Sequence, residues 1–325
     1  VAEIKKKIEK GEDPKVEIKE IQRANRNFYS VQDLCDEYIE RYARVRKKSW
    51  KEDQRILEKD IIPIWKRRKA SDIKRKDVIN LLDTIVERGA KIQANRTLAV
   101  IRRMFNFALE RDILEFSPCN AVKAPAKENI KDRVLSDEEI KALWNQLDEC
   151  KSMDRRIALS LKLMLITGQR KIECLHLKYS EIDNSGWWTI PKEISKNGKP
   201  HRVFLSKQAK EILSMAKELP PNSDWVFPSP RTGKPFLGSS IDHALREKKT
   251  QVIIKTDFTP HDLRRTASSV MTSMGIPRLT VSKILNHSEA GVTAKHYDHY
   301  AYDKEKKGAL TKWGKKVEKI RGGIQ

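Results

Sequence analysis

The sequence is poor in the residues that staple small folds or cage metal ions. Its four cysteines, Cys35, Cys119, Cys150 and Cys174, make no CxxC pair and no regular framework. That excludes a disulfide scaffold and reads as reduced thiols, in a cytosolic or nucleoid setting. The seven histidines are scattered without zinc-ligand spacing, so neither a metal nor a cofactor is expected. No apolar run has transmembrane length and no signal-peptide core is seen, so no membrane partner is expected. Internal repeats are missing, and low complexity is confined to the lysine-rich ends. Acidic residues are the scarcer charge: 45 Asp and Glu stand against 67 Lys and Arg, a net charge of +22. Such an excess favours a polyanionic partner, because every neutralised phosphate releases condensed counterions.

What is present suffices for packed cores. Hydrophobic residues make up 38% of 325 positions, which points to two domains or more. Residues 1–27 are charged and helical in pattern, broken at Gly11-Glu12-Asp13-Pro14, and read as a connector. The chain opens on Val1 already in a helix-like pattern, as expected of a piece of a longer protein. Residues 28–118 read as an all-α domain. Val31, Leu34, Cys35, Tyr38, Ile39 and Tyr42 have helical spacing, and the spacing predicts further helices over 51–61 (before Pro63), 77–88 (stopped by Gly89) and 94–110. Residues 119–133 form a basic linker. The second domain, 134–325, opens on Ser136 and Glu139 in capping-box spacing. Within it, 157–166 is apolar on nearly every side and should be a central helix. Residues 187–190 and 202–205 read as strands of a hairpin around Asn197-Gly198, with a loop longer than two residues. Helices follow over 206–219, 239–248, 260–274 and 277–285. The fold class is therefore mainly α with a small antiparallel β-sheet (α+β).

The chemistry-bearing residues lie in this second part. Phosphodiester cleavage by a protein nucleophile needs an attacking oxygen, cations over the non-bridging oxygens and a proton donor for the leaving oxygen. Arginine suits the cationic task, since its planar fork spans two oxygens and keeps its charge. Arg170 follows Gly168 at the start of a helix, with Glu173 three residues on and able to hold the guanidinium. Pro260 fits a first helical position, which puts His261 and Arg264 at i and i+3 on one face. Lys196 lies on a hairpin, where it could reach a leaving oxygen; Lys199 is its rival. His287 is followed ten residues later by Tyr297.

The order Arg, Glu, Lys, His-x-x-Arg, His, Tyr, carried by TGQRKIE, SKNGKPHRVFLS, HDLRRT, LNH and KHYDHYAYDKEKKGAL, resembles the tyrosine recombinase (phage-type integrase) family. The resemblance extends over almost the whole chain. It implies a helical core-type DNA-binding domain and a catalytic domain clamping duplex DNA from opposite sides. Gly11–Pro14 looks like the end of an arm-binding domain of satellite-phage and genomic-island integrases. By resemblance, Arg170 and Arg264 would clamp the scissile phosphate and His261 would bind it or move a proton. Lys196 would be the general acid, His287 would assist, and Glu173 would orient Arg170. Tyr297 would attack and form a 3′-phosphotyrosyl link. The interval from His287 to Tyr297 is one residue longer than the family's usual one, and Tyr300 and Tyr302 stand close by. Tyr297 is preferred because Tyr302, Lys304 to Lys306 and Ala309-Leu310 align with the family's tail. His296 and His299 would line the edge.

Arg44, Lys47, Lys48, Lys66, Arg67, Arg68, Lys69, Lys74, Arg75, Lys76, Lys123, Lys127 and Arg265 are the candidate phosphate contacts outside the site, although Arg265 also suits a structural role. In the tail, Leu310, Trp313 and Val317 could dock on a neighbouring subunit or on their own domain. The expected partners are double-stranded DNA, further copies of the chain (a monomer in solution, a homotetramer on DNA), and DNA-bending and excision helper proteins. The expected activity is integration or excision of a mobile element without ATP or metal. Three readings compete with it: a dimer-resolving housekeeping recombinase, a relaxing topoisomerase, and an accessory DNA-binding protein that has lost catalysis.

Overall fold

Helices make up most of the computed structural model, which describes residues 29–128, 132–287 and 300–322. The connector expected over 1–27, together with His296, Tyr297 and His299, lies outside the described residues. The chain divides into two units, Val1–Ile130 and Lys131–Gln325.

In the first unit, α1 (Val31–Tyr38) runs on through a π-helical turn, Ile39–Ala43, to Arg44–Arg46. Its start is a capping box: the Ser30 hydroxyl accepts from the Asp33 amide, and the Asp33 carboxylate accepts from the Ser30 amide. Helix α2 (Trp50–Ile56) likewise continues through a π turn, Leu57–Ile61, into Ile62–Trp65. Pro63 was expected to end it and does not. A proline has no amide to donate, and it stands in the first turn of the segment after the π turn, where donors lack partners anyway. Helix α3 (Arg75–Glu87) stops in a Schellman motif: Gly89 takes φ +83°, its amide donates to Val86, and the Ala90 amide donates to Ile85. Helix α4 (Lys91–Leu109) buries the expected Leu98, Ile101, Met104, Phe105 and Ala108. Part of the expected linker packs here: Cys119 and Val122 are buried, and Asn95 of α4 holds Ala126 through both its amide and its carbonyl.

The second unit is built round α6 (Arg155–Thr167), buried from Arg156 to its end, as its all-round apolar pattern predicted. Helix α5 (Asp137–Glu149) precedes it, with the Ser136–Glu139 capping box in place. After the short α7 (Lys171–Leu175) come β1 (Trp187–Ile190) and β2 (His201–Phe204), paired antiparallel with Trp187 opposite Phe204 and Ile190 opposite His201. Helices α8 (Lys207–Lys217), α9 (Gly238–Arg246), α10 (Lys248–Ile253), α11 (Pro260–Ser273), α12 (Arg278–Ile284) and α13 (Asp303–Gly322) complete it. Helix α10 had no counterpart in the sequence reading.

The tail packs on its own unit. Leu310, Trp313 and Val317 of α13 are buried there, and the Trp313 indole donates to the Leu165 carbonyl at 2.9 Å. Gly314 lets α13 approach α8 closely, since a Cβ there would lie 2.3 Å from the Gln208 side chain. A lysine on α6 is buried with it: Lys162 pairs with Asp148 and lies 4.6 Å from the Trp144 ring centre, which Arg321 of α13 also covers, at 4.4 Å. Burial lowers Lys162 to about 8 despite its carboxylate partner.

Candidate active site

The end of α6 opens the site. Gly168 takes φ +66°, and an added Cβ would stand 3.1 Å from Leu285 and 3.6 Å from Ala267, so both conformation and space call for glycine. Arg170 is the N-cap of α7, one position before the first turn where the sequence suggested it. Glu173, 1% exposed, holds it twice: one carboxylate oxygen accepts the Arg170 amide at 2.9 Å, the other the guanidinium at 3.0 Å. The carboxylate thus orders both the helix start and the cation.

Thr259 and Pro260 start α11. The Asp262 carboxylate accepts from the Thr259 amide and hydroxyl, which fixes the first turn. Leu263 turns into the core, His261 is exposed, and Arg264 is buried at 3% exposure. The Arg264 guanidinium donates to two backbone carbonyls, Gly168 at 2.7 Å and Leu285. Burial and then repulsion from Arg170 lower Arg264 to about 10, which leaves it charged at neutral pH.

The end of α12 gathers these groups. The last carbonyls of a helix lack intrahelical donors and carry its negative dipole end, so cations and N–H donors are favoured there. Here the Ile284 carbonyl accepts from Gln169 and meets the His201 ring, each at 2.9 Å. Leu285 accepts from Arg264, and Asn286 accepts from Arg170 at 3.3 Å and from Asn197 at 2.8 Å. Asn286 takes φ +50°, and the His287 amide donates back to Ser282, which closes the helix in a Schellman turn and directs His287 outward.

Arg170, Glu173, Lys196, His261 and Arg264 line one cleft of about 610 Å³, together with Gln169, Lys171 and Asp242. His287 lines a neighbouring hollow with Ser268, Thr272 and Leu285. The cluster is electrostatically coherent. Burial, then Arg265, Arg264 and Arg170, keeps the His261 imidazolium below its ordinary range; burial, then Arg264, Arg170, His261 and Lys196, does the same for His287. Among the described residues no group of His, Cys, Asp and Glu converges as a metal site, and no helix is long and apolar enough to cross a membrane.

Several further groups of the site lie within the quoted motifs, which assign them no role. Gln169, His201 and Asn197 bond backbone carbonyls far away in the chain, and Asn286 offers its own carbonyl to Arg170 and Asn197. Lys171 lines the cleft with its ammonium held by Asp242 at 2.7 Å. The hairpin is tied to α12 through Ser195 and Asn197.

The candidate phosphate contacts divide. Lys66, Arg67, Lys74, Arg75, Lys76, Lys123 and Lys127 are exposed, Lys69 is half-buried, and Lys48 lies in the turn before α2. Four others are engaged within the protein. Arg44 pairs with Glu40 and covers the Trp50 ring, Lys47 pairs with the buried Asp53, Arg68 forks onto Asp77, and Arg265 pairs with Asp262. Their carboxylates were as visible in the sequence as they were, but the pairing was not.

Comparison with known proteins agrees with this geometry. The Phage integrase family model matches residues 133–304, and the Phage integrase central domain model matches 31–125. The prophage integrase IntZ of Escherichia coli (strain K12) is 28% identical over 279 residues, 84% of this chain and 67% of that protein. A tyrosine recombinase XerC of Staphylococcus saprophyticus is 25% identical, over 71% of this chain and 79% of its own. The solved lambda integrase tetramer bound to a Holliday junction shares the fold at TM-score 0.68 and 18% identity, over 86% of this chain and 89% of that one. Since the first of these family models spans more than half of the sequence, the chain belongs to the phage integrase family, the tyrosine-type site-specific DNA recombinases.

Proposed function

We propose that this chain integrates or excises a mobile DNA element by cutting and rejoining duplex DNA through Tyr297. The observation that carries the reading is the single cleft in which Arg170, Arg264, His261 and Lys196 converge. Arg170 and Arg264 clamp the non-bridging oxygens of the scissile phosphate, already oriented by Glu173 and by the carbonyls of Gly168, Leu285 and Asn286. Groups fixed in advance toward developing charge supply the largest single term in most such reactions. The Tyr297 phenolic oxygen forms a bond to phosphorus, and its proton leaves to a neutral imidazole, His261 or His287. The bond from phosphorus to the 5′-oxygen breaks with its electron pair on that oxygen, which takes a proton from the Lys196 ammonium. The 3′-phosphotyrosyl link conserves the bond energy, so attack by a second strand's 5′-hydroxyl rejoins DNA without ATP.

The helical first unit, with its exposed Lys66, Arg67, Lys74, Arg75 and Lys76, grips the DNA backbone. Assembly into a tetramer on DNA is supported by the lambda integrase neighbour's form. DNA-bending and excision helper proteins, a nucleoid location in a bacterium, and the satellite-phage or genomic-island subgroup complete the reading. The E. coli prophage relative favours it over the housekeeping one.

The test uses DNA ends flanking the protein's own gene, with recombinant joints sequenced and a nicked duplex cut from the joint as cleavage probe. The native chain should form a covalent adduct on that probe, and Tyr297→Phe should bind it and form none. Adduct that persists in Tyr297→Phe and vanishes in Tyr300→Phe would overturn the assignment.

A further inference from the structure

We infer that Asn286 is a positioning residue for proton delivery, fixing the Lys196 hairpin to the end of α12; the inference rests on the reading of Lys196 as general acid. Residues 195–198 form a tight turn, closed by the Gly198 amide on the Ser195 carbonyl at 3.1 Å, with Gly198 at φ +67°. Lys196 is the second residue of this turn, and both its neighbours are bound to the same asparagine. The Asn286 side-chain amide donates to the Ser195 hydroxyl at 3.1 Å. The Asn197 side-chain amide donates to the Asn286 side-chain oxygen at 3.1 Å and to its main-chain carbonyl at 2.8 Å. Ser195 is fully buried, while Lys196 is exposed and lines the cleft. A flexible ammonium is thereby mounted on a backbone held from both sides.

The main-chain half of this arrangement is available to any residue that tolerates a left-handed conformation, and glycine tolerates it best. The side-chain half is not available to glycine: the carboxamide supplies a donor to Ser195 and an acceptor to Asn197 from one group. The Asn286 carbonyl also accepts from Arg170, so one residue references the phosphate clamp and the acid-bearing hairpin to each other. Proton transfer depends on such registration, since a misplacement of about 1 Å can slow a reaction roughly 10²-fold.

The test is cleavage of the nicked duplex carrying either oxygen or sulfur at the 5′-bridging position. A thiolate leaves without protonation, so a defect in proton delivery disappears with sulfur, and a defect in phosphate clamping or folding does not. Lys196→Ala should be slow with oxygen and restored with sulfur; if Lys199→Ala shows that pattern instead, the acid is misassigned. Asn286→Gly, which keeps the left-handed backbone, should be slowed roughly tenfold or more with oxygen and restored with sulfur, as should Asn197→Ala. The inference is overturned if Lys196→Ala is restored by sulfur while Asn286→Gly cleaves oxygen at the native rate, or is equally slow on both probes. Hydrogen exchange on the DNA-free full chain supplies an independent measurement. Asn286→Gly should speed exchange at the Gly198 amide while leaving α6 unchanged, and native protection there would also overturn it.

Discussion

The Arg264 guanidinium is tied to the Gly168 carbonyl at 2.7 Å, across 96 residues of sequence, and to the Leu285 carbonyl from its other terminal nitrogen. Two backbone acceptors on different elements thus set the plane of one fork. A lysine keeps the charge but not the plane. Arg264→Lys should therefore bind DNA nearly as well as the native chain and form adduct slower by on the order of 10²-fold or more. Single-turnover adduct formation beside fluorescence anisotropy checks this; a lysine variant within a few-fold of native would show that charge alone suffices.

His201 predicts a pH dependence of stability. It is 7% exposed, and burial lowers it to about 4. The unfolded chain takes up its proton below about pH 6.5, the folded chain only near 4, so the unfolded state binds more protons between these values. The contribution is complete above about pH 6.5 and is lost as pH falls toward 4, on the order of 3 kcal/mol in all. Urea unfolding of the native chain and of His201→Gln at pH 7.5 and pH 4.5 measures it. The native chain should lose more stability than the variant, and equal losses would assign the acid sensitivity elsewhere.

The basic residues of the first unit should separate into two phenotypes. Lys47 pairs with Asp53, a 3% exposed carboxylate that also accepts from the Tyr38 hydroxyl at 2.6 Å. Lys47→Ala should cost about 1–3 kcal/mol in unfolding experiments, because it leaves a buried carboxylate short of a partner. Lys66→Ala and Arg67→Ala should leave stability within about 0.5 kcal/mol and each lower the slope of log affinity against log salt by about 0.9. Equal salt slopes in native and Lys66→Ala chains would remove Lys66 from the DNA surface.

What could be read from the sequence was whatever is decided locally. The all-round apolar run became α6, Gly89 and Gly168 ended helices at positive φ, and Ser136 with Glu139 made a capping box. The pairing of Arg170 with Glu173 was also legible, since three residues separate them. Pro63 misled because a π turn can precede a proline and let the helix run on. Arg44, Lys47, Arg68 and Arg265 pair with Glu40, Asp53, Asp77 and Asp262, and a run of basic residues does not by itself say which of them a carboxylate will hold. The role of Asn286 was illegible for a stronger reason: the partners of its side chain and carbonyl, Ser195, Asn197 and Arg170, lie 89 to 116 residues away and meet it only once the hairpin and α12 are in place.

The end of α12 has a consequence for how a phosphate could arrive. Arg264 is steadied there by dipoles; among the described residues no carboxylate lies within ion-pair reach of it. An anion in that place would have to be evicted before DNA could enter, whereas a carbonyl stays put and keeps the fork aimed. Among the described residues, Arg264 gives two of its five N–H groups to the carbonyls of Gly168 and Leu285. The backbone supplies the negative end that Arg264 faces, so on the proposed reading substrate entry is an addition to the site rather than an exchange within it.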